Sequence, residues 1–140
     1  METQIKSFRD LRVWQAGMDL VEQVYRLTQS FPRHEVYGLA GQMQRAAVSI
    51  PSNIAEGHTR EHSREYFHHV SMAQASLAEL ETQLEIAVRL GYLSLGELNE
   101  ALAAVRSLGK QLYALRNALT DRAGPRPLAP DPLDEVSQCK

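Results

Sequence analysis

The chain has 140 residues, 44% of them apolar and 23% charged, which is enough for one globular domain with its own core. Its 15 basic and 17 acidic side chains leave a formal net charge of -2, so a generally basic nucleic-acid binder is excluded and any phosphate-contacting surface must be a local patch. The single cysteine, Cys139, excludes an intrachain disulfide and a multi-cysteine zinc site and fits a reducing cytosol.

No apolar run approaches the ~20 residues of a membrane span. The polar residues after Met1 lead us to expect no signal peptide, and hence a cytoplasmic protein. Helix-type spacing then dominates the chain. A capping-box-like start at Ser7-Phe-Arg-Asp10 opens a first helix over about residues 9–30, with its seam at Val13, Gly17, Leu20, Val24, Leu27 and Phe31. Phe31-Pro32-Arg33-His34 breaks the pattern. A second helix, about 35–56, carries the seam Val36, Ala40, Met43, Ala47, Ile50 and Ile54, and Gly57 is expected to end it as a left-handed cap.

The third helix, about 60–90, repeats steps of 4 and 3 through Tyr66, Val70, Ala73, Leu77, Leu80, Leu84 and Ala87 and stops at Gly91. At 1.5 Å per residue it is ~45 Å long. A second capping box, Ser94-Leu-Gly-Glu97, opens a fourth helix over about 95–120, dominated by Leu95, Leu98, Leu102, Val105, Leu112 and Leu119. The ~3.5-residue period is that of helices packed nearly parallel. The short connections force neighbours to run antiparallel. The expected fold is therefore all-α, an up-down-up-down four-helix bundle over residues 1–120. Residues 121–140, crowded with Pro125, Pro127, Pro130 and Pro132, are expected to form a disordered tail.

Catalytic constellations are missing. A di-metal carboxylate bundle needs Glu-x-x-His on two helices, and Glu65-Tyr-Phe-His68 is the single match. Histidines gather at His58, His62, His68 and His69, and His62, Glu65 and His69 share one helical face by spacing. This reads either as a surface metal site or as a solvated helix start. There is no nucleophile elbow, no phosphate-binding glycine loop and no zincin motif. We expect no enzymatic activity, no cofactor, no bound metal and no small-molecule substrate.

Two surfaces stand out. On the second helix, Pro51 lies in the interior, where it removes a donor and crowds the Ala47 carbonyl, so a kink is expected. Opposite the seam runs a polar line, Arg45, Ser49, Ser52 and Glu56, with the small residues Ala46 and Asn53 between line and seam. It reads either as a solvated face or as a close-contact surface for a partner. On the first helix a second apolar line, Trp14, Met18, Val21 and Tyr25, runs beside the seam. It reads either as a wide core-facing surface or as a self-association surface.

Several segments together are distinctive: Phe8-Arg-Asp-Leu-Arg-Val-Trp-Gln15, Phe31-Pro-Arg-His-Glu-Val-Tyr-Gly-Leu39, Gln44-Arg-Ala-Ala-Val-Ser-Ile-Pro-Ser-Asn-Ile-Ala-Glu-Gly57 with Arg60 after it, Ser76-Leu-Ala-Glu-Leu-Glu81 and Leu90-Gly-Tyr-Leu93. Over roughly residues 8–120 the chain resembles the bacterial four-helix-bundle family named for proteins encoded in intervening sequences of 23S ribosomal RNA genes. The resemblance implies a small cytosolic bundle that assembles as a homopentameric ring, without established enzymatic activity. A related branch, the accessory proteins of diversity-generating retroelements, implies nucleic acid and a nucleic-acid enzyme as partners. Arg45 and Arg60 with Ser49, Ser52, Asn53 and Glu56 would then form the contact surface, with help from Arg9 and Arg12. The chain departs from the family pattern at Gln44, where a second arginine is common, and at Ala75, where glycine is common. The first departure removes a positive charge and weakens the nucleic-acid expectation.

Overall fold

The computed structural model describes residues 5–123 of the chain. Four helices carry it: α1 (Arg12–Thr28), α2 (Leu39–His58), α3 (Ser63–Arg89) and α4 (Leu95–Ala123), with single 3-10 turns at Phe8–Asp10 and Arg33–Glu35. Among the described residues there are no strands, and no helix is long and apolar enough to cross a membrane. The proline-rich segment from residue 124 onward, including Cys139, lies outside the described residues.

Helix pairs are fixed in register by individual contacts. Gly17 of α1 meets Pro51 of α2, and the Gln44 amide donates to the Thr28 hydroxyl at 3.0 Å, so α1 and α2 run antiparallel. Ser49 and Ser76 share a hydrogen bond of 2.8 Å and Asn53 meets His69 at 3.0 Å, so α2 and α3 do the same. Gly109 faces Leu77, and the Arg116 guanidinium lies over the Phe67 ring, closing α4 antiparallel onto α3. α1 also touches α4, completing the four-sided bundle. The Phe31 and Tyr92 rings, 5.2 Å apart, put the α1–α2 and α3–α4 connections at the same end.

The expected seams form one core. Val24, Met43, Ala47, Ile50, Ile54, Val70, Leu80, Leu84 and Leu112 are wholly inaccessible to solvent. Each of these side chains larger than Ala47 is worth about 1.5–3 kcal/mol of transfer free energy. Four seam positions differ. Val36 and Leu95 are exposed, and Leu27 and Tyr66 are half-buried, with Phe67 buried next to Tyr66. Val36 precedes α2 and Leu95 is the first residue of α4, so both stand at the bundle end where no neighbouring helix covers them.

The helix ends differ from expectation where side chains outcompete the helix. The Ser7 box is real, but it closes the 3-10 turn: Arg9 N–H donates to Ser7 Oγ (3.1 Å), and Asp10 Oδ2 accepts from the amides of Lys6 (2.9 Å) and Ser7 (3.2 Å). Extended Leu11 then separates that turn from α1, which starts at Arg12. The start of α2 is delayed to Leu39 because Glu35 Oε1 sits 3.5 Å from the Leu39 amide and Gly38 leaves the helical region (φ -100°, ψ -121°). α3 begins at Ser63, after extended His62. Gly91 behaves as expected, at φ +80°, with Tyr92 N–H reaching Ala87 O at 2.9 Å. The Ser94–Glu97 box is reciprocal, at 3.0 and 3.1 Å.

Gly57 does not cap α2. It is helical, buried, and followed by His58 in the same helix. A Cβ there would lie 2.8 Å from both His69 Cβ and Tyr66 Cδ1. The glycine is used for close approach of α3. α2 also runs as one α-helix through Pro51.

Candidate functional surfaces

The apolar line on α1 is partly packed against the core and partly exposed. Trp14 and Val21 are half-buried and pack against the core, with the Phe8 ring 5.4 Å from Trp14. Met18 and Tyr25 remain 41% and 43% exposed. Trp14, Met18 and Val21 form one wall of a shallow groove. Its other wall and floor come from α2: Val48, Pro51, Ser52 and Ala55. The lining contains no charged side chain. Val48 is itself 40% exposed, and sequence reasoning passed over it because it stands alone within a polar face. Pro51 is buried here as a wall shared by the groove and α1.

The polar line on α2 is split by the packing of α3. Arg45, Ser52 and Glu56 are exposed, as is Arg60 beyond the helix end. Ser49 is half-buried and Asn53 is buried, and both are used within the chain. Asn53 Nδ2 donates to the Ser49 carbonyl (2.9 Å) and to Ser49 Oγ (3.1 Å), and Ser49 Oγ pairs with Ser76 Oγ. Because the Ser49 carbonyl accepts only, the amide nitrogen must face it. Asn53 Oδ1 therefore faces His69 Nδ1 as an acceptor, and His69 carries a proton on Nδ1. Glu56 Oε2 lies 3.7 Å from the same nitrogen. These groups form a polar ladder that locks α2 to α3, so Ser49 and Asn53 are not available as a contact surface on the isolated subunit.

The histidines do not converge. His58 Nδ1 is 3.4 Å from the Tyr66 hydroxyl, His69 is held by Asn53, and His62 and His68 are exposed. Among the described residues no group of three or more His, Cys, Asp or Glu is placed to hold a metal ion. Arg60, Arg64, Glu65, His68 and His69 line a shallow cleft at the α2–α3 corner, in which a carboxylate accompanies the two guanidinium groups.

At the opposite end, Tyr92 has its hydroxyl pKa raised above the ordinary 10.0, by desolvation first and then by the Glu35 carboxylate beside it.

A family model described as 23S rRNA-intervening sequence protein matches residues 9–114. No curated protein matches the chain.

Proposed function

The chain belongs to the 23S rRNA-intervening sequence protein family, and from that premise we propose that it is a non-catalytic, self-assembling protein, a homo-oligomer of pentameric ring form that serves as a scaffold. The observation that carries this reading is the uncharged groove between α1 and α2, where Trp14, Met18, Val21 and Val48 surround Pro51. A monomer keeps Met18, Tyr25 and Val48 in water at about two-fifths exposure. Covering them recovers about 25 cal/mol for each Å² of apolar surface. Trp and Tyr are also residue types that concentrate binding energy at interfaces. The resemblance drawn from the sequence supplies the ring and its copy number.

Light scattering after size exclusion tests the reading on the full chain. The expected mass at micromolar concentration is a multiple of 15.7 kDa, and Met18→Asp with Val48→Asp should return it to a single copy with helicity retained. A wild-type protein that elutes as a clean monomer defeats the proposal.

Association with nucleic acid is the second reading. It draws on Arg60 and Arg64, exposed and lining one cleft with His68, and on Arg45 farther along α2. Repetition of such a patch around a ring would add avidity. Glu65 in the same cleft and the internal use of Ser49 and Asn53 count against it. Binding to structured RNA and DNA across a salt series decides: phosphate-led binding weakens steeply with salt, and no signal at low salt removes this reading.

A further inference from the structure

A ring of more than two copies needs a heterologous contact, in which one surface of a subunit meets a different surface of the next. Resting on the assembly reading above, we infer that the α1/α2 groove receives the bundle end of a second copy, with Tyr37 as the inserted anchor. That end is formed by the α1–α2 and α3–α4 connections. It exposes Val36, Tyr37, Leu90 and Leu95 at 54%, 93%, 54% and 68%. Tyr37 is the most exposed large apolar side chain among the described residues. Met72 and Tyr113, by contrast, stand singly on the sides of α3 and α4, which is ordinary for a soluble surface.

Backbone hydrogen bonds fix the turn that carries Tyr37. Glu35 N–H donates to Pro32 O at 2.9 Å, Val36 N–H to Arg33 O at 3.2 Å and Gly38 N–H to Glu35 O at 3.0 Å. The Val36 carbonyl is packed so closely on Gly41 that a Cβ there would lie 2.6 Å from it. With the backbone fixed, insertion costs only the rotamer freedom of the Tyr37 side chain, which has two χ angles.

Charge follows the same pairing. At the end, exposed Arg33, His34 and Arg89 outnumber exposed Glu97, with Glu35 half-buried beside Tyr92, while exposed Glu22 and Glu56 lie one helical turn beyond the groove residues Met18 and Ser52. Exposed Arg45, one helical turn before Val48, is of the opposite sign. The end lies at the helix termini and the groove along the sides of α1 and α2, so the contact is heterologous and joins copies head to tail, which forms a closed ring when the rotation between copies closes.

Two measurements on the full chain test the contact. Tyr37→Ser alters a side chain that is almost wholly in solvent, so helicity by circular dichroism should be unchanged while the scattering mass falls to 15.7 kDa. In a Cys139→Ser background, Tyr37→Cys combined with Ser52→Cys should oxidise to a ladder of covalently joined copies, and either cysteine alone should not. A wild type that is monomeric at the outset removes the assembly reading itself. If the wild type assembles, a Tyr37→Ser protein that assembles equally well overturns this inference alone, as does an assembled double-cysteine protein that yields no ladder.

Discussion

Gly17 of α1 lies directly against the ring of Pro51 on α2: a Cβ added to the glycine would meet Pro51 Cβ at 3.4 Å and Cδ at 3.5 Å. The two residues least suited to a helix interior thus face one another across one interface. The proline lacks an amide hydrogen, and the glycine lacks the side chain that would hold α1 away from it. Their contact sets the depth of the groove whose walls include Trp14 and Val48.

The distance at Gly17 is ordinary van der Waals contact, so Gly17→Ala should be accepted. Alanine is favoured over glycine in a helix by about 1 kcal/mol, and the variant should melt at the wild-type temperature or slightly above it. Gly17→Leu should instead push α1 off Pro51 and lose about 1–3 kcal/mol by overpacking. Chemical denaturation of both variants checks the pair. A Gly17→Ala protein as unstable as Gly17→Leu would show that the two helices are closer than described.

Gly57 gives the opposite expectation for the same substitution. The 2.8 Å approaches to His69 Cβ and Tyr66 Cδ1 leave no room for a methyl group, and α3 must move. Gly57→Ala should therefore destabilise by about 1–3 kcal/mol despite the gain in helix propensity. A denaturation midpoint at or above wild type would show that Gly57 does not set the α2–α3 spacing.

Asn53→Ala should strand the Nδ1–H of His69 and remove a donor from Ser49, for a loss of about 1–3 kcal/mol. The NMR signature is more specific than the stability change. Wild-type His69 should carry its neutral proton on Nδ1, with the variant free to change tautomer. A wild-type His69 protonated on Nε2 alone would break the ladder as described.

The raised pKa of Tyr92 makes a signed prediction at alkaline pH. A phenol whose folded pKa lies above its ordinary 10.0 contributes stability that is fully present below that value. The contribution is lost as pH rises through the folded pKa, because the phenolate is poorly solvated and faces Glu35. Unfolding at increasing pH above 10 should show a decline that Tyr92→Phe reduces. Identical profiles for the two proteins would show that Tyr92 titrates as it does in the unfolded chain.

Much of the fold was legible because it depends on local periodicity. The 4-and-3 rhythm of Val70, Ala73, Leu77, Leu80 and Leu84 forces one face inward wherever the partner lies, and all five are buried. Ser94 with Glu97 and Gly91 likewise act within a few residues, and their roles read correctly from the chain. Gly57 resisted because the same residue type serves a left-handed cap and a close helix crossing, and the difference lies in Tyr66 and His69, nine and twelve residues away. Asn53 resisted for the same reason: its place on α2 was evident, while its partner His69 is on another helix.

By itself the sequence determined four amphipathic helices, their antiparallel order and the residues that fill the core, since these follow from spacing along a single chain and from connections too short to cross over. Only the tertiary structure decided which half of each remaining face stays in water. It turned Ser49 and Asn53 inward against α3, left Met18 and Val48 on a shared groove, and set Val36 and Tyr37 out at the bundle end. The reason is physical: exposure depends on how closely the neighbouring helix approaches, and that distance is set by contacts such as Gly17 with Pro51 and Gly57 with His69, which no single helical period encodes.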